Sequence, residues 1–92
     1  MDLAKIAGEV KALAKQLGWA INETRIASTG SIYIELVRGG PEEHEWLVVR
    51  VANHKQVYHR WITTVSIAPS DRWFEELEDI LTLPYGDVGD IL

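Results

Sequence analysis

The three histidines of this chain, His44, His54 and His59, all fall within residues 44–61, and the same stretch holds Arg50, Lys55 and Arg60 with Trp46, Tyr58 and Trp61 interleaved. Cations set among aromatic planes suit a phosphate-and-base surface: the cations displace counterions condensed on a nucleic-acid backbone, and the rings stack on exposed bases. The pattern reads as a local nucleic-acid surface, with Tyr33, Arg50, Asn53, His54, Lys55, Tyr58, His59 and Arg60 as candidate contacts. In that reading Arg50, Lys55 and Arg60 meet phosphates, while Tyr33, Tyr58, His54 and His59 stack or hydrogen-bond. The plainer arrangement has Arg50 on a solvent-facing strand position, Tyr58 and Trp61 covering the core, and the histidines as ordinary loop residues.

Other chemistries find less support. A metal site needs three or four converging ligands, and the His54–His59 spacing does not put two rings on one helical face. Hydroxyls such as Ser28, Thr29 and Ser31 sit in no local signature of an activated nucleophile. Gly39-Gly40 precedes Pro41 and opens no helix, so phosphate-loop and dinucleotide fingerprints are missing and no cofactor is implied. A protein-interaction or homodimer-forming module is the main alternative, because four tryptophans are difficult to bury together in so small a domain. Trp46 and Trp61 are its candidate interface residues.

The elements that must position these residues follow from periodicity. Leu3, Ile6, Val10, Leu13 and Leu17 line one face of a helix over residues 2–17, capped by Asp2 and ended by Gly18. Residues 22–28 make a weak strand that turns at Ser28-Thr29-Gly30-Ser31. Residues 31–37 alternate, with Ile32, Ile34 and Leu36 on one face, and residues 46–52 resume as a β-branched run, so the two form a hairpin. A further strand runs over residues 61–67 and stops at Pro69. A second helix follows, capped by Ser70 or Asp71, with Trp73, Phe74, Leu77, Ile80 and Leu81 on one stripe and Glu75, Glu76, Glu78 and Asp79 on the other face. Residues 84–92 are expected to be an irregular tail after a single domain over residues 1–83. The order helix, three or four antiparallel strands, helix predicts an α+β two-layer sandwich with both helices on one face, laid out like a double-stranded-RNA-binding domain.

The 92 residues carry a net charge of −5, with 47% apolar and 25% charged residues, which suits one compact domain. The charge is polarised: residues 44–61 carry +2 and residues 71–92 carry −6. Indiscriminate polyanion binding is excluded by the total, a localised site is not, and the acidic C-terminal segment is placed to compete for it. The chain has no cysteine, no basic-then-apolar leader and no stretch long enough for a membrane span. It is therefore expected to be a complete cytoplasmic polypeptide without a membrane partner.

Two resemblances attach to these motifs. Ser31-Ile32-Tyr33-Ile34 and, after a hairpin, Val49-Arg50-Val51-Ala52-Asn53-His54 form a pattern similar to one in small uncharacterised proteins of phages and other mobile elements, where a Ser-x-Tyr strand precedes Val/Ile-Arg-Val/Ile-Ser-Asp-His. Here Ala52 and Asn53 stand where serine and aspartate are usual, and the pattern implies no known activity. Gly30-Ser31 and His54 also resemble the outline of HicA-type toxins, small ribonucleases with a double-stranded-RNA-binding-like fold. In those proteins a catalytic histidine follows the serine, whereas this chain has Ile32. That likeness implies a shared fold without the general acid–base chemistry that an imidazole supplies, so a non-enzymatic module is the expectation.

Overall fold

The computed structural model describes residues 2–39, 43–53, 63–69 and 72–88. Its elements run α1 (Leu3–Gln16), β1 (Ala20–Ile26), β2 (Ile32–Arg38), β3 (Glu45–Val51), β4 (Thr64–Ile67) and α2 (Trp73–Leu81). The chain is an α+β domain.

Helix α1 begins where Asp2 accepts from the Ala4 and Lys5 amides and buries Ile6, Ala7, Val10, Leu13 and Ala14. It ends as its sequence predicts. Gly18 takes a positive φ of 92°, its amide donates to Lys15 O at 3.3 Å, and the Trp19 amide donates to Ala14 O at 2.9 Å, the paired bonds of a Schellman cap. Trp19 is thereby delivered into the core.

A four-residue turn joins β1 to β2, with Gly30 N donating to Ala27 O and Ala27 N to Ser31 O. The β2–β3 hairpin pairs antiparallel from Ile32↔Val51 to Arg38↔Glu45. The sheet order is β1-β2-β3-β4. The fourth strand corrects the sequence reading: β4 runs parallel to β3, pairing Val49 with Val65 and Val51 with Ile67, so the sheet is mixed rather than antiparallel throughout. A parallel pair needs a crossover of about a dozen residues rather than a tight turn, and residues 52–63 are long enough to supply one.

Alternation decides the faces. Ile34, Leu36, Leu47, Val49, Val51 and Ile67 join the stripes of both helices in one core with Trp19 and Trp73. Both helices therefore cover the same side of the sheet, as expected. Phe74, expected on the buried stripe of α2, is instead 46% exposed. The N-cap of α2 is Arg72, which makes no side-chain capping bond; Ser70 and Asp71 lie outside the described residues. No described helix is long and apolar enough to cross a membrane.

Candidate functional site

The sheet face turned away from the helices carries two contrasting rows. Antiparallel register sets Arg25 opposite Tyr33 and Tyr33 opposite Arg50, and the parallel pairing adds Ser66 beside Arg50. The next row, two residues along the strands, is Glu23, Glu35, Val48 and Thr64. Charge is thus segregated by strand register: cations and an aromatic ring at the end near Ser31, carboxylates one step away.

Within the cationic row the Arg25 guanidinium lies 5.1 Å from the centre of the Tyr33 ring. Arg25 is exposed and Tyr33 half-buried, so the ring supports a guanidinium whose N–H groups reach solvent. Arg50 is placed differently. It is only 6% exposed, and its Nη2 donates to the buried Ser31 hydroxyl at 3.2 Å. Thr29 Oγ1 adds a 3.4 Å contact to the same oxygen. This bond joins the two halves of the Ser-x-Tyr and Val-Arg-Val pattern across the β2–β3 pairing. Burial and this bond set Arg50 beneath the surface of the face.

Asn53 is exposed just beyond the end of β3. His54, Lys55, Tyr58, His59, Arg60 and Trp61 lie outside the described residues, as do Gly40 and Pro41. Trp46 is 39% exposed at the far end of the hairpin, its ring 6.3 Å from that of His44, and so does not join the cationic row. Of the remaining tryptophans, Trp19 and Trp73 are buried.

A second polar centre, which the sequence reading missed, occupies the other end of β2. Arg38 Nε donates to Glu45 Oε1 at 2.6 Å, its Nη1 to Leu81 O at 3.3 Å and its Nη2 to Pro84 O at 3.1 Å. The guanidinium also lies 4.5 Å from the Trp19 ring, whose Nε1 donates to Leu81 O at 3.0 Å. Glu45 Oε2 in turn accepts from the Gly86 amide at 2.8 Å. The expected irregular tail is therefore held, as far as Val88, by hydrogen bonds to the hairpin and by Val88, which is fully buried. Gly39 fits this packing through its positive φ of 120°, where a Cβ would meet the Glu43 carbonyl and the Tyr85 ring. Loss of solvation, followed by the Glu43 and Glu45 carboxylates, holds the Tyr85 hydroxyl above the ordinary phenol range, with Arg38 opposing.

The outer face of α2 carries charge of the opposite sign, while α1 beside it carries Lys5, Lys11 and Lys15. Glu75, Glu76, Glu78 and Asp79 are all exposed, and Glu9 and Glu75 stand on an open groove of about 460 Å³ between the helices beside Phe74. The sheet separates this acidic surface from the cationic row. The signal for Arg25 was present in the chain: the Ser28–Gly30 turn dictates a register that puts Arg25 beside Tyr33. The Arg38 centre left no such trace, because two of its acceptors, the carbonyls of Leu81 and Pro84, come from residues 43 and 46 positions away. Comparison with family models, with curated proteins and with solved structures returns no match for this chain.

Proposed function

We propose that this domain is a non-enzymatic nucleic-acid-binding module that engages unpaired nucleotides at the end of the sheet marked by Arg25 and Tyr33. The observation that carries the reading is the Arg25–Tyr33 pair: an exposed guanidinium plane held over an aromatic ring offers a surface for a base and N–H donors for the adjoining phosphate. Arg50 braces this end through Ser31. The chain continues from Asn53 into the basic and aromatic residues His54, Lys55, Tyr58, His59 and Arg60, which supply further contacts in this reading. The acidic face of α2 lies across the sheet, away from this surface.

Fluorescence anisotropy with short single-stranded RNA and DNA at low salt tests the reading. Binding should weaken as salt rises, since phosphate contacts release counterions. Arg25→Ala and Tyr33→Ala should each weaken it by about 1–3 kcal/mol, the range for loss of a base-stacking contact. Absence of binding at millimolar oligonucleotide, or unchanged affinity in both variants, would remove the proposal.

A further inference from the structure

Strand β1 is an edge strand of the sheet, and six of its seven residues are exposed. A row of unpaired backbone donors and acceptors on such an edge is a template for another strand. Which groups point outward follows from the turn. Ala27 N donates to Ser31 O, so alternation along an antiparallel ladder directs the backbone groups of Arg25 and Glu23 toward β2 and those of Thr24 and Ile26 away from it. The irregularity between Ile21 and Glu23 ends the regular edge at Asn22, leaving Glu23–Ile26 as its usable length.

We infer that this edge pairs antiparallel with the same edge of a second copy, in the single register that sets Thr24 opposite Thr24 about a two-fold axis. In that register the two Thr24 residues exchange outward N–H and C=O groups. Each Glu23 then stands opposite the Arg25 of the other copy, at the non-hydrogen-bonded positions where facing side chains come closest. Shifting the axis by one residue either way puts Glu23 against Glu23 or Arg25 against Arg25, and like charges directly opposite are destabilising. Edge charges usually prevent pairing; here their order forbids the neighbouring registers and favours one. Glu23 forms no ion pair among the described residues, so its carboxylate is available. The joint ladder then spans Glu23 to Arg25 of each copy, and Ile26, 70% exposed, lies just beyond its end. A ladder this short predicts a weak, concentration-dependent dimer, in keeping with interfaces of small area. The inference does not depend on nucleic-acid binding, although both would draw on Arg25 and should therefore compete.

Sedimentation velocity on the full chain from about 10 µM to 1 mM, at low salt, tests it. The wild type should shift from monomer toward dimer. Glu23→Arg alone and Arg25→Glu alone should each weaken association by about tenfold or more, because every cross-pair becomes repulsive. Glu23→Arg combined with Arg25→Glu in one chain should restore it, and an equimolar mixture of the two single variants should form a heterodimer that neither forms alone. Thr24→Pro should abolish pairing while leaving the β1–β2 ladder intact, since its lost N–H points outward; a thermal melt checks that the variant is folded. A wild type that stays monomeric across the range, or single charge variants that associate as well as wild type, would overturn the inference. Association lost on oligonucleotide addition would support competition for Arg25, whereas failure of oligonucleotide binding alone would leave the dimer standing.

Discussion

An arginine stands at each end of strand β2, Arg38 on the strand itself and Arg25 on β1 opposite Tyr33, and the two are held in different ways. At the Arg38 end the guanidinium is enclosed by the Glu45 carboxylate, two backbone carbonyls and the Trp19 ring, and the Arg38 and Glu45 side chains are only 14% and 10% exposed. Five residues away, about 17 Å at the rise of a strand, Arg25 lies over Tyr33 with its polar edge in solvent, while Arg50 beneath braces the neutral Ser31 hydroxyl. An arginine boxed by acceptors from three segments acts as a clamp. A guanidinium laid on a ring at the surface keeps its donors for something outside the molecule. The difference separates the end of the sheet that holds the C-terminal segment from the end proposed above to meet nucleic acid.

Breaking the clamp should have the largest effect. Arg38→Met leaves a largely buried Glu45 without its partner and should cost about 3–5 kcal/mol of stability by urea denaturation, whereas Arg38→Met with Glu45→Leu should recover most of that loss. Equal destabilisation by the single and double variants would show that the Arg38–carbonyl bonds, rather than the ion pair, hold this end together. Val88→Ala should cost about 2 kcal/mol, the scale for truncating a fully buried aliphatic side chain. A neutral result would mean that the C-terminal segment is not part of the clamp.

At the other end, Ser31→Ala removes an acceptor from a buried guanidinium and should cost about 1–2 kcal/mol. Arg25→Ala should change stability by less than about 0.5 kcal/mol while weakening oligonucleotide binding, and the contrast between the two ends fails if it destabilises the fold as Arg38→Met does. The smallest effect concerns Tyr85. Its folded-state pKa is raised, so the neutral phenol is favoured by folding. That contribution is complete below the ordinary phenol pKa of about 10 and is lost as pH rises from there through the folded value. Comparing wild type with Tyr85→Phe in alkaline melts should show an extra downward slope in the wild type alone.

Much of this architecture was readable from local pattern. The α1 stripe, its Asp2 cap and the Gly18 stop needed only neighbours within a turn or two, and strict alternation in β2 named Ile32, Ile34 and Leu36 as core. The first three strands fall within two residues of the expected bounds. Phe74 departed from its helical stripe because it sits at the margin of that stripe, where the groove between the helices leaves it uncovered. Tyr33 could be nominated because a ring alternating with apolar residues must face away from them. Arg50 was also nominated, and alternation does put it on the helix-free face; that it is buried there depends on what packs around it.

Period and turn chemistry are short-range, so the sequence by itself determined the elements, their inward faces, the first hairpin register and the polarisation of charge between residues 44–61 and 71–92. It did not determine strand direction beyond the hairpins, because alternation is identical in parallel and antiparallel strands, and β4 proved parallel. Nor did it determine which arginine would be a clamp and which a surface donor. Arg38, Arg25 and Arg50 are alike as side chains; their roles were decided when the tertiary structure brought carbonyls of residues 81 and 84 to one, a tyrosine ring to another and a buried hydroxyl to the third.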